Sequence, residues 1–196
     1  MSSQLISLIL FGIAAGFSPG PNNIVTSHSA FNFGFKKTIP TMLGVVSGWT
    51  LLSIILVFGA GFIFKKFVEL QIIIKILGSV YLIFLAYKIS FHKTKKNNKD
   101  LRPITFLNTF FFQFVNPKSI IAGLTAVSLF VDTQNSFLED SIIFVTLMFF
   151  IAIGSQATWC LMGTYLRKFA SSDKFIKNFN YTMSFLLIVC VILFYV

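Results

Sequence analysis

The sequence predicts an all-α integral membrane protein, with six transmembrane helices forming two inverted three-helix repeats and with broken helices in spans one and four. Three observations carry this. The 196 residues are 56% hydrophobic and only 11% charged, with 26 phenylalanines, whereas an ordinary soluble domain holds about 25% charged residues. Six apolar runs reach the roughly 20 residues that a helix needs to cross the hydrocarbon core. The first and fourth runs are each interrupted near the middle by proline, asparagine and other polar residues.

Span one covers 5–33. Its leading MSSQLISLILFGIAAG lacks the positive n-region of a secretory signal, so we read it as a retained span. Inside it lies GFSPGPNN, residues 16–23. Span two covers 39–64 and includes GVVSGW, where Gly44 and Gly48 at i and i+4 would let a neighbouring helix approach closely. Span three covers 70–91; Lys75 near its start fits a snorkelling side chain. Residues 92–103, HKTKKNNKDLRP, form the one hydrophilic linker of any length. Span four covers 104–131 around FQFVNPKSI, span five 141–166 with GSQATW, and span six 178–196. The chain thus reads as a single transmembrane domain, 1–196, with halves at 1–91 and 104–196.

Charge sets the orientation. The connections after spans one, three and five carry Lys36 and Lys37, then Lys88, Lys93, Lys95, Lys96, Lys99 and Arg102, then Arg167, Lys168, Lys174 and Lys177. The other side offers Lys65, Lys66 and Lys75, together with Asp132, Glu139 and Asp140. The positive-inside rule puts the basic side in the cytoplasm and both termini outside. The net charge of +10 is therefore topological; no segment pairs a basic face with polar surroundings, which argues against nucleic acid as a partner.

Two halves of three spans enter the membrane from opposite sides, an architecture recurrent among secondary transporters. Pro117 follows Pro21 by 96 residues, at the corresponding place in the second half. GVVSGW and GSQATW end in Trp49 and Trp159, the only two tryptophans, as a weaker echo. A proline removes a backbone donor and clashes with the preceding turn, and Gly20 would allow backbone angles closed to other residues. Backbone groups freed in this way are tolerated at bilayer depth only against protein or a watery cavity. Half-helix ends also attract charge, anions at N-termini and cations at C-termini. Facing breaks at Pro19, Gly20, Pro21, Asn22 and Asn23 and at Asn116, Pro117 and Lys118 would hold a zwitterion by its two ends.

Lys118 is the sharpest single residue, since a lysine at the centre of a span costs roughly 2.5–3.5 kcal/mol on insertion scales and usually faces a cavity. Gln113 is expected to line the same cavity or cap the break, with Gln156 its counterpart in span five. His28, among Thr26, Ser27 and Ser29, is a candidate proton carrier beside Lys118, or equally a hydrogen-bonded packing residue. Cys160 and Cys190 sit in apolar runs as packing residues, and no Cys/His spacing suggests a metal site. All six acidic residues fall in or beside loops, which disfavours a metal-ion transporter. An intramembrane enzyme would need a nucleophile with a base, and the spans offer only an isolated His28.

At these residues the chain resembles the LysE/RhtB family of bacterial amino-acid exporters. The resemblance rests on FSPGPNN, on NFGFKKTIPTMLGVVSG from 32 to 48, and on FVNPKSI, and extends over essentially the whole chain. ITFLNTFFFQFVNPKSIIAGLTAVSLFV and NYTMSFLLIVCVILFY look most like the cysteine and O-acetylserine efflux branch. The resemblance implies efflux of small neutral amino acids or derivatives across the bacterial cytoplasmic membrane, driven by the proton motive force and without a cofactor. With no carboxylate inside the spans, proton coupling would fall to His28, Lys118 or a water path. Aromatic and Gly-rich faces are compatible with a homodimer.

Overall fold

The computed structural model describes residues 2–60, 68–90, 103–132, 136–170 and 172–195. The linker 92–103, save for Pro103, and residues 61–67 of the expected second span lie outside the described residues. Regular structure among the described residues is helical throughout. In chain order the helices are α1 (Ser2–Phe17), α2 (Pro21–Phe33), α3 (Phe35–Ile55), α4 (Val68–Ser90), α5 (Phe106–Phe112), α6 (Pro117–Phe130), α7 (Phe137–Arg167) and α8 (Asp173–Leu193). Four segments are each long and apolar enough to cross a membrane: Phe35–Gly59, Ile72–Ser90, Phe137–Arg167 and Asp173–Leu193. Two bent pairs, α1 with α2 and α5 with α6, raise the number to six if each pair is one span. Both pairs bend by 53°.

Element boundaries depart from the apolar runs where polar ends continue a helix. The fifth expected span begins at 141, yet α7 starts at Phe137 and takes Glu139 and Asp140 into its first turn, where the helix dipole favours negative charge. Its 31 residues amount to about 46 Å, well beyond a roughly 30 Å hydrocarbon core. Helix α8 likewise begins at Asp173 rather than 178, with the Ser172 side chain accepting from the Phe175 amide. Helix α3 ends early, passing into a π-type turn, Leu56–Ala60, in which Gly59 takes a positive φ of 105°.

The distribution of polarity is that of a membrane protein. Large apolar side chains point outward, with Ile72, Ile76, Val80, Ile83, Phe84 and Tyr87 exposed along α4. Polar side chains are inside: Thr26, Ser27, Ser29, Thr41, Gln113 and Asn116 are all buried. In water this arrangement would be unstable; in lipid it is the expected one, because intramembrane polar groups face the bundle interior. The helix at the centre is α2, buried from Asn23 to Phe31. It packs chiefly on α7, while α3 packs on α5 and α7, and α4 on α8.

Small residues set the closest approaches. A Cβ on Gly44 would collide with the Phe106 carbonyl and the Thr109 hydroxyl, and one on Gly48 would come within 2.5 Å of the Phe110 carbonyl oxygen. Gly163 of α7 lies in the same way against the Ser27 carbonyl, and Gly78 of α4 against that of Val115. Each of the four glycines meets a backbone carbonyl, for which no rotamer change can make room.

The ends of the bundle differ in charge. Arg167 at the end of α7 donates to the Asn32 carbonyl at 2.9 Å, and Asn32 donates to Asn180 of α8 at 2.9 Å. A cavity joining His28 and Phe33 to Lys88 and Ile104 brings in the end of α4. The opposite end gathers Gln4 and Leu5 of α1, Phe130 of α6, and Ser136, Glu139 and Asp140 at the start of α7.

Candidate functional site

The first break leaves carbonyls at and just past the end of α1 without helical partners, and side chains serve those of Ala15, Gly16, Ser18 and Pro19. The Ala15 carbonyl accepts from the Ser18 hydroxyl at 3.0 Å. The Gly16 carbonyl accepts from Asn23 Nδ2 at 2.8 Å and from the Ser155 hydroxyl at 2.7 Å. The Ser18 carbonyl accepts from Asn23 Nδ2 at 2.9 Å and from Lys118 Nζ at 3.2 Å, and the Pro19 carbonyl from Lys118 Nζ at 3.1 Å. The Ser18 hydroxyl oxygen accepts a third bond from Lys118 Nζ, at 2.8 Å. All three donors of the ammonium are thus spent on the C-terminal end of α1, where the helix dipole concentrates negative potential.

Gly20 has a different role from the one the sequence suggests. Its φ of −176° and ψ of 174° are extended and open to any residue, so conformational freedom is not what requires glycine. Space is: a Cβ would sit 2.6 Å from Lys118 Nζ and 2.9 Å from its Cδ. The lysine lies directly over the missing side chain.

The second break is built by a tight turn. Gln113, Phe114 and Val115 donate to the carbonyls three residues earlier, at 3.3, 3.2 and 3.1 Å, and Pro117 then opens α6. Asn116 caps that helix, its side-chain oxygen accepting from the Lys118 amide at 3.2 Å. The cap fixes the start of the helix that carries Lys118.

Paired amides join the breaks to each other and to α7. Asn22 and Gln113 exchange two hydrogen bonds, at 2.8 and 3.0 Å, and Asn116 approaches Asn22 Oδ1 at 3.5 Å. Gln113 also donates to the Thr109 carbonyl at 2.8 Å and accepts from Ser119 at 3.1 Å. On the other side, Gln156 donates to Asn23 Oδ1 at 2.8 Å and accepts from Thr26 at 2.5 Å. Adjacent asparagines in α2 therefore face opposite neighbours, one toward span four and one toward span five.

A cavity of about 80 Å³ adjoins this network. Its polar rim is Lys118, Ser119, Ser155 and Gln156, and its floor is small: Gly12, Ala15, Gly16, Ala122, Ala126 and Ala152. Phe11, Trp49, Met148 and Ile151 complete the wall. A water needs roughly 10–15 Å³ on this measure. The space is that of a few waters or one small solute with a charged end and a short apolar one.

Of the sequence-predicted residues, Pro19, Gly20, Pro21, Asn22, Asn23, Gln113, Asn116, Pro117 and Lys118 come together around the two breaks. His28 does not. It is 4% exposed and lines a separate cavity of about 20 Å³ toward the basic end, with Ser29, Phe33 and Lys88. Gly44 and Gly48 lie on α3 against α5, outside the cavity. Sequence reasoning passed over Ser18, Ser119 and Ser155, although Ser18 lies inside FSPGPNN and Ser155 immediately before Gln156. Among the described residues no group of three His, Cys, Asp or Glu could hold a metal ion.

Comparison with known proteins gives the family of the chain. The family model described as LysE type translocator matches residues 13–196. The cysteine/O-acetylserine efflux protein of Escherichia coli O139:H28 (strain E24377A / ETEC) is 30% identical over 196 residues, 98% of each chain. The proteins of the same description from Escherichia coli (strain K12) and Shigella sonnei (strain Ss046) are 29% identical over the same shares. No solved structure matches the chain. An apolar outer surface, a polar interior crossed by two broken helices, and a family match from residue 13 to residue 196 agree: the chain belongs to the LysE type translocator family, as a multi-pass membrane transport protein and not an enzyme.

Proposed function

We propose that the chain exports small amino acids, cysteine and O-acetylserine among them, across the cytoplasmic membrane through the cavity beside Lys118. The carrying observation is that one small cavity is lined by the residues flanking both breaks, Ala15 and Gly16 before the first and Lys118 and Ser119 after the second, with Lys118 the only one of the nine predicted binding residues on its wall. The names of the relatives, cysteine/O-acetylserine efflux proteins, support the substrate class. The basic end would face the cytoplasm and both termini the outside. Packing of α3 on α7 and of α4 on α8, with the two bent pairs at the centre, supports six spans in two inverted halves.

The hydrogen bonds of Lys118 suggest how a zwitterion would bind. The ammonium of Lys118 occupies the cation-attracting end of α1. An amino acid inserted there would give its carboxylate to Lys118 and its own ammonium to the carbonyls of Ser18 and Pro19, so each charge would exchange one partner for another. Gln156, Ser119 and Ser155 would orient it, and the glycine and alanine floor would receive its side chain. Export would be driven by the proton motive force, with Lys118, His28 or waters carrying the proton.

The test is efflux of labelled cysteine, O-acetylserine, threonine, leucine and lysine from expressing cells, with and without an uncoupler. Uncoupler-sensitive efflux of one or two small amino acids is the expected result. No efflux of any of them from correctly inserted protein would overturn the reading.

A further inference from the structure

The central cavity is separated from the acidic end of the bundle by a single layer of side chains. Three helices line both spaces in register. Along α1, Gln4, Leu5 and Leu8 border an outer vestibule of about 300 Å³, and Phe11, Gly12 and Ala15 border the central cavity. Along α7, Glu139, Asp140 and Ile143 border the vestibule, and Met148, Ile151 and Ala152 the cavity. Helix α6 runs the other way, with Phe130 at the vestibule and Ala126 and Ala122 at the cavity. Between the two spaces stand Phe11 and Phe130, their ring centroids 6.0 Å apart at 58°. Leu8 and Phe144, both buried, pack in the same apolar cluster.

The barrier toward the basic end is of another kind. There the Asn23, Gln156 and Thr26 hydrogen bonds are followed by the backbone approach of Gly163 to Ser27. Side chains on one side and backbone on the other make unequal doors: two rings can turn aside within their rotamers, whereas α2 and α7 can separate only as whole helices.

We propose that Phe11 and Phe130 form the outer gate, and that solute leaves the central cavity between α1, α6 and α7 into the vestibule at Glu139 and Asp140. The proposal rests on the exporter reading for its direction. The layer itself can be tested without transport. In a Cys160→Ala, Cys190→Ala background, a single thiol at Ala152→Cys reports access to the cavity, and one at Glu139→Cys marks the acidic face. An impermeant thiol reagent is applied to each face of membrane vesicles in turn. Phe11→Ala or Phe130→Ala should speed labelling of the cavity thiol from the acidic face by roughly tenfold, the scale of one aromatic pair, and leave labelling from the basic face unchanged. Rates that do not respond to either variant, or that rise only from the basic face, would overturn it. Two separate substitutions guard against one failing to insert. Efflux of labelled cysteine by the unsubstituted protein is measured alongside: a labelling response without efflux upholds the gate and removes the exporter reading, whereas efflux without a labelling response removes the gate alone.

Discussion

Lys118 Nζ donates to the Ser18 hydroxyl at 2.8 Å, closing a contact between residues 100 positions apart. The bond fastens the start of α6 to the end of α1, and with the Ser18 and Pro19 carbonyls it completes the shell of the ammonium. Lys118→Met should therefore lower amino-acid export on the order of a hundredfold or more, since three bonds to a charged group are lost. Membrane levels should not fall, because the apolar side chain inserts more readily than the charge. Ser18→Ala removes one of the three bonds and should slow export by about tenfold. Initial efflux rates normalised to membrane protein are the measurement; wild-type rates in Lys118→Met would take the residue out of transport.

Asn22 and Asn23 are neighbours with unequal burdens, and their substitution should separate stability from activity. Asn23 serves the Gly16 and Ser18 carbonyls and accepts from Gln156, so Asn23→Ala should destabilise the protein by about 2–4 kcal/mol. Asn22 pairs mainly with Gln113, so Asn22→Ala and Gln113→Ala should show a coupling energy of about 1 kcal/mol in a double-mutant cycle. Thermal unfolding of purified protein in detergent reads both, and additive effects at Asn22 and Gln113 would mean that their reciprocal bond contributes nothing.

The glycines divide by what their missing Cβ would meet. Gly44→Ala, Gly48→Ala and Gly163→Ala each push a methyl into neighbouring backbone and should cost roughly 1–3 kcal/mol. Gly154→Ala meets only Phe17 Cζ, at 3.7 Å, and should be close to neutral. Gly20→Ala falls between these cases, since the nearest atom is the movable tip of Lys118, 2.6 Å away. It should leave the unfolding temperature near wild type while displacing the ammonium and reducing export. Equal losses of stability at all five positions would show that close approach is not what selects glycine here.

Much of this was legible because proline and polar residues inside an apolar run carry an unambiguous physical cost. The breaks at Pro19 to Asn23 and at Asn116 to Lys118 follow directly from that cost, and both appear as 53° bends. The partners of the freed groups were less accessible. A linear sequence does not give the rotation of α7: Gln156 is expected near the cavity as the counterpart of Gln113, but nothing in the sequence says that its partner is Asn23, that Ser155 joins it there, or that Trp49 reaches the cavity from α3. Local chemistry misled in one instance: Gly20 reads as a flexible joint, yet its extended backbone is ordinary and the lysine over it is what excludes a side chain. His28 drew notice for its titratable ring, but its place on α2 turns it toward Lys88 and away from Lys118.

Most of the side-chain hydrogen bonds at the two breaks are exchanged between the halves of the chain. Ser18, Asn22 and Asn23 take their partners from Lys118, Gln113 and Gln156, and each of those residues depends in turn on the first half. While the protein is being made, the first break emerges long before its partners exist. With 100 residues separating Ser18 from Lys118 and synthesis proceeding at about 5–20 residues per second, the gap is about 5–20 s. For that time Asn23 and Ser18 serve the Ala15, Gly16 and Ser18 carbonyls from within the first half, but the Pro19 carbonyl and the Asn22 side-chain amide still await their partners, which lipid cannot replace. The polar break should therefore be complete in the bilayer only once the second half has arrived.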